Sequence, residues 1–233
     1  MFENVKAKDQ AQTLLGAKRL SVDCKATVNL GEFSRGGQTR GDNQALDHDF
    51  GSGLKSIPCG ILDEDSGQLY LYFGASSKTS DFIVDNLQTW WQSLSTLEQQ
   101  EMKLLQLKID HGPESSGVRT QFLKRMVDFA DTIQIPIQLL YYPPYHSKYN
   151  PIERGWGILE QHWNGTLLQD MQTLLSWAER MTWKGIHPIV QVNNNTYQKG
   201  ISLSKREMSE IEGRLKRNPD LPKWDILIQP ASR

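Results

Sequence analysis

The feature that most narrows the fold of this chain is a change of hydrophobic rhythm part-way along it. Apolar residues alternate in much of the first third, as in strands; further on, helical stripes and strands take turns. A helix is predicted over 2–15, stopped by Gly16. In the strand that follows, 19–24, Leu20, Val22 and Cys24 share one phase and Asp23 lies on the other. Residues 25–33 suit a second strand, and 57–74 suit a hairpin around Asp65-Ser66-Gly67. Between them, 34–56 reads as a long loop rich in Gly, Ser and Asp.

From Ser80, a candidate N-cap, the apolar residues 83, 87, 90, 91 and 94 make one buried stripe. A strand over 104–110 places Leu105, Leu107 and Ile109 on one phase and Asp110 on the other. A helix over 117–132 and an apolar strand over 135–142 come next. After Pro151, residues 152, 156, 159 and 163 form a stripe that ends near Gly165. Two further helices are predicted, at 167–182 and at 205–217 with a Ser204/Glu207 capping box. An antiparallel start followed by alternating strands and helices favours a mixed sheet with helices packed on its faces.

A chain of 233 residues, 38% hydrophobic and 23% charged, is long enough for one globular domain with an appendage. No apolar run reaches the roughly 18–20 residues of a membrane span, so no membrane partner is expected. The polar start, MFENVKAKDQ, is no signal peptide. Two cysteines, Cys24 and Cys59, make no disulfide framework, and a cytoplasmic setting is the expectation. The net charge of −1 argues against indiscriminate binding of phosphate backbones by bulk positive charge.

Two strands end alike, Leu20-x-Val22-Asp23 and Leu107-x-Ile109-Asp110. Parallel and adjacent, they would bring both carboxylates to one end of the sheet, where ligand sites of open α/β sheets form. A third acid, Glu153, opens the helix after the last of these strands. Each has an ordinary explanation. An Asp at a strand end serves a turn or faces solvent. Asn150 suits an N-cap, Pro151 the first helical position, and Glu153 the third, where it can reach back to the cap. Pooled, three carboxylates repel one another unless a cation lies between them. Oxygen ligands with room for water suit Mg²⁺ or Mn²⁺ rather than zinc. Two such ions about 3.5–4 Å apart can clamp the attacking and leaving oxygens of a phosphoryl displacement. Asp23 would then bridge both ions, Asp110 hold one and Glu153 the other. Periodicity alone leaves the ordinary and the shared-site readings evenly matched.

Asp47 and Asp49 could join a metal site, though solvated loop acids fit the Gly-rich surroundings better. The five histidines have no zinc-ligand spacing; His111 and His146 flank the presumed site in structural roles. The tryptophans mostly fall on helical stripes and read as core, with Trp183 a possible DNA-facing exception.

The strings SVDCKA, IDHGPESSGVRTQFLKRMVDFAD and YYPPYHSKYNPIERGWGILEQHWNG resemble the catalytic domain of DDE-type insertion-sequence transposases, in particular the Rhodopirellula-type DDE family. The likeness runs from about Phe2 to Trp224. It implies an RNase H-like mixed five-stranded sheet with helices on both faces, plus a C-terminal helical extension. The corresponding division is a catalytic domain over 1–165 and the extension over 166–233.

The resemblance also implies that Asp23, Asp110 and Glu153 are catalytic and bind two Mg²⁺ ions, with Mn²⁺ able to substitute. The chemistry implied is cleavage at transposon ends followed by transfer of the freed 3′ end into target DNA. Lys25, Lys148, Asn150 and Arg154 lie beside the three acids and are candidate DNA contacts or supports behind them. Cys24 and His111 stand where such transposases commonly carry Thr and Asn. Family members place a DNA-binding region ahead of the catalytic domain, whereas Asp23 comes early here. The expectation is a catalytic part acting as a homo-oligomer on DNA, with a separate chain able to supply DNA recognition. The rival expectations are a catalytically silent remnant that binds DNA or regulates a full-length enzyme, and a nuclease acting on RNA–DNA hybrids.

Overall fold

The computed structural model describes residues 1–36, 53–143, 146 and 149–231, with backbone alone for 11–15. Helix α1 (Phe2–Leu15) leads into strand β1 (Ala17–Cys24). Then come β2 (Val28–Asn29), β3 (Lys55–Asp63) and β4 (Leu69–Gly74). Helices α2 (Ser80–Ser93) and α3 (Thr96–Glu101) precede β5 (Leu104–Ile109), α4 (Thr120–Ile133) and β6 (Ile137–Tyr141). The remainder holds α5 (Ile152–His162), α6 (Met171–Arg180), β7 (Ile189–Asn193), α7 (Lys205–Glu212), β8 (Leu215–Arg217) and β9 (Asp225–Ile228).

The strands form one mixed sheet in the order β7-β4-β3-β1-β5-β6-β9-β8, with β2 paired to β3. Its middle, β4-β3-β1-β5-β6, is the expected RNase H-like five-stranded unit. β3 runs antiparallel to both β1 and β4, while β5 lies parallel to β1 and to β6. The sheet is wider than expected, because the last third of the chain is not purely helical. β7 joins β4 at one edge, and the β8–β9 hairpin joins β6 at the other.

Strand alternation sorts side chains between two cores. Leu20, Val22, Leu105, Leu107 and Ile109 face a layer that includes Phe82, Leu87 and Trp90 of α2 and Phe122, Met126 and Phe129 of α4. On the opposite face, the predicted stripe Ile152, Trp156, Leu159 and Trp163 is wholly buried with Leu69 and Leu71. Each such large apolar side chain contributes about 1.5–3 kcal/mol on burial.

Several expected boundaries move. The strand over 25–33 shrinks to two residues, since Gly31 takes φ +130° and its N–H goes to the Leu168 carbonyl at 2.8 Å. The cap of α2 is Thr79, which accepts from the Phe82 N–H at 3.1 Å. Ser80 instead donates to the Glu114 carbonyl at 2.7 Å, tying α2 to the loop after β5. Helix α4 starts at Thr120, leaving Val118 exposed. The last predicted helix stops at Glu212, and Leu215–Arg217 turns into strand. Among the described residues, no helix is long and apolar enough to cross a membrane.

Candidate active site

Strands β1 and β5 are paired in parallel with Val22 opposite Ile109. The next step along both strands reaches Asp23 and Asp110, so the two acids arrive at the same end of the sheet. They line one cleft with Lys78, Gly112, Glu114 and Ser115. The cleft mouth is built by the loop after β5. There the Asp110 carbonyl accepts from Ser115 Oγ at 2.9 Å, and the Ser115 carbonyl from the buried Tyr141 hydroxyl at 2.7 Å.

Asp23 Oδ2 accepts from the indole Nε1–H of Trp156 at 3.0 Å. Burial pushes the Asp23 carboxyl above its ordinary range, and the charge of Asp110 adds to the rise. Lys78, the Trp156 N–H and the Cys24 backbone N–H pull the other way without cancelling it. Asp110 Oδ1 accepts from the His111 backbone N–H at 2.9 Å. The Lys78 ammonium sits in the cleft wall but donates to the Cys24 carbonyl at 2.8 Å. Among the described residues, neither Asp23 nor Asp110 has an ion-pair partner within 4.0 Å.

Glu153 stands in the first turn of α5, one helical turn before Trp156 and on the same side of the helix. That start is fastened to β1 by a relay of hydrogen bonds. The Ile152 N–H donates to Ser21 Oγ at 2.9 Å, and the Ser21 hydroxyl donates to Asn150 Oδ1 at 2.5 Å. Asn150 Nδ2 donates to the Val22 carbonyl at 3.2 Å. Asn150 is therefore no N-cap. Pro151 occupies the boundary position without a side-chain cap, and the serine hydroxyl of a distant strand serves instead.

The structure thus brings Asp23 and Asp110 together and seats the helix bearing Glu153 beside Asp23. It does not close the three into one ligand cluster. Among the described residues, no three His, Cys, Asp or Glu side chains are grouped to hold a metal ion.

The flanking candidates separate clearly. Asn150 is fully buried, which leaves it the supporting role and not a DNA contact. Lys25 pairs with Glu160 of α5 at 2.9 Å, and Arg35 shares that carboxylate. Arg154 is exposed beside the helix start. Lys148, Asp47 and Asp49 lie outside the described residues. His111 lies against Trp224, with ring centroids 4.2 Å apart, and burial holds its imidazole below the usual value. Trp183 is buried in the α5–α6 core.

Sequence reasoning missed Ser21, Lys78 and Gly60 and read Trp156 only as core. Ser21 shares the strand phase of Asp23, and Trp156 lies one turn from Glu153, so both signals were present. Lys78 sits in a loop with no periodicity to mark it.

A family model described as the Rhodopirellula transposase DDE domain matches residues 1–230. The chain belongs to this family. Membership implies DNA as the substrate class and nuclease or transferase chemistry in general, in a family that typically uses divalent metals. In this DDE domain, Asp23 and Asp110 occupy the end of the sheet at which such chemistry is sought. A search of curated proteins finds no match.

Proposed function

We propose that this transposase domain cuts DNA strands at transposon ends and transfers the freed 3′ end into target DNA, with Asp23, Asp110 and Glu153 as its catalytic acids. The observation that carries the reading is the side-by-side placement of Asp23 and Asp110 at the ends of adjacent parallel strands, neither neutralised by an ion pair.

The donor set fits a pair of hard divalent cations, Mg²⁺ or Mn²⁺. Two carboxylates, neither ion-paired among the described residues, supply oxygen ligands. The neighbouring Cys24 thiol is pushed up by its hydrogen bond with Cys59 and by burial. When bound, the cations supply Lewis-acid charge that polarises the scissile phosphate and activates the attacking water or 3′-hydroxyl.

The chain's own groups do the rest. Asp23 and Asp110 hold the ions at the sheet end, and Glu153 completes the set from the first turn of α5. Trp156 occupies one oxygen of Asp23. Lys78 offers an ammonium in the cleft wall for a phosphate oxygen, and Arg154 an exposed guanidinium nearby. Joining two transposon ends calls for two copies on the DNA.

Asp110→Asn is expected to abolish Mg²⁺-dependent cleavage of a transposon-end duplex, a loss of at least about ten-thousandfold or ~5 kcal/mol of barrier, with the fold kept. Glu153→Gln keeps the helix start and loses cleavage as well. A Glu153→Gln protein that only melts earlier assigns Glu153 to the helix end alone. One observation favours a second reading, a silent DNA-binding remnant: Glu153 is not gathered with the other two acids. Wild-type protein that binds DNA and never cuts it at any Mn²⁺ concentration selects that reading.

A further inference from the structure

Across the β1–β3 ladder, Asp23 faces Gly60. Directly opposed residues in an antiparallel pair point to the same side of the sheet. A glycine there leaves a hole beside the Asp23 side chain, and the Trp156 ring fills it. A Cβ added to Gly60 would come within 2.7 Å of Trp156 Cζ2, 2.9 Å of Cη2 and 2.8 Å of Ile152 Cδ1. Gly60 does not have a positive φ, so room for the ring, and not backbone conformation, is what requires glycine.

Trp156 is almost fully buried and has one polar atom, and that atom meets Asp23 Oδ2 at 3.0 Å. The ring cannot slide along the sheet. Ile152, one turn earlier, is fixed through its N–H to Ser21, and Asn150 to the Val22 carbonyl. Strand β1 and helix α5 are thereby locked in register around one carboxylate. An aspartate bound this way has one oxygen fixed in direction by the indole.

We propose that Trp156, seated in the slot opposite Asp23 that Gly60 leaves, is a positioning residue: it fixes Oδ2 of Asp23 so that Oδ1 is presented to a divalent cation. This inference rests on the metal-dependent reading above and assigns a role that core packing alone does not require.

Trp163 supplies the internal control. It lies on the same helix, is fully buried, and donates its own indole N–H to a carboxylate, Glu160 Oε2, at 2.7 Å. The test is Mn²⁺ titration by calorimetry of the full chain as wild type, Asp23→Asn, Trp156→Phe, Gly60→Ala and Trp163→Phe, with melting temperatures taken in EDTA. Trp156→Phe is expected to weaken Mn²⁺ binding about tenfold, the order of one hydrogen bond to a charged group. Gly60→Ala should weaken it at least as much by displacing the ring. Trp163→Phe should lose comparable thermal stability and keep its Mn²⁺ affinity.

A second measurement needs no variant. With ¹⁵N-labelled indoles in the wild-type protein, Mg²⁺ is expected to shift the Trp156 N–H resonance and leave that of Trp163 in place. If Asp23→Asn loses Mn²⁺ binding while Trp156→Phe stays within twofold of wild type, Trp156 is packing only and the proposal falls. A Trp156 resonance that does not move at saturating Mg²⁺ overturns it equally, even if the variants fail to fold. Wild type and Asp23→Asn that are both indifferent to Mn²⁺ bring down the metal reading itself, and the positioning role with it.

Discussion

Two lysines in this molecule are set among paired acids, and they behave differently. Lys108, on β5, is only 4% exposed and makes ion pairs with Asp9 of α1 at 2.6 Å and Glu64 beyond β3 at 2.8 Å. Lys78 lines the cleft with Asp23 and Asp110, yet its ammonium bonds a backbone carbonyl and pairs with neither acid. Both groups carry two carboxylates and one ammonium. The first is a finished structural cluster in which each acid is answered. The second leaves two neighbouring carboxylates under-neutralised, the condition in which a divalent cation binds well. A buried acid is thus informative about function chiefly when its neutralising partner is missing.

That contrast can be broken from the structural side first. Lys108→Met strands Asp9 and Glu64 without their cation. It is expected to lower the unfolding free energy by about 3–5 kcal/mol in urea titrations, while cleavage per folded molecule is unchanged. A loss below about 1 kcal/mol would make the cluster equivalent to a solvent-screened surface pair.

The next effect sharpens the cleft side. Mn²⁺ at a hundredfold excess over its dissociation constant should stabilise the wild-type chain by about 2.7 kcal/mol. The same addition should do nothing for Asp23→Asn. Equal stabilisation of both would place the ion elsewhere.

The smallest effect is a pH dependence in EDTA. Burial and the charge of Asp110 hold the Asp23 carboxyl above its ordinary value of 3.8 in the folded chain. Such a group keeps its proton more tightly when folded, so stability rises as pH falls through the folded value and stops rising below the ordinary one. Asp23→Asn should therefore be more stable than wild type at neutral pH, with the gap closing towards pH 4. The raised carboxyl of Glu64 is common to both proteins and drops out of the difference. A gap that widens on acidification would reverse the sign assigned to Asp23.

Much of the scaffold was legible before any coordinates. The matched endings of β1 and β5 raised the parallel pairing that the ladder shows, and the stripe 152, 156, 159, 163 marked the face of α5 that is buried. The outer strands escaped because they are short or irregular in pattern: β8 has three residues, β9 four, and β7 has no clean alternation. The site was legible in part. Periodicity shows which side of a strand Asp23 faces and that Trp156 is inside, but not where the single polar atom of a buried ring points. Nor could it show that the Asn150 amide serves a strand rather than its own helix, because that partner is fixed only by tertiary packing. The Ile152 N–H at the start of α5 likewise finds its acceptor on a distant strand, in Ser21.

The bond between Ser21 and Asn150 joins residues 129 positions apart. A contact of such separation closes a large loop, an entropy cost met before the contact is made. A growing chain that has not yet delivered Asn150 presents Asp23 and Asp110 without the helix that braces them. Of the elements packed around Asp23, α5 is thus the last that a growing chain supplies.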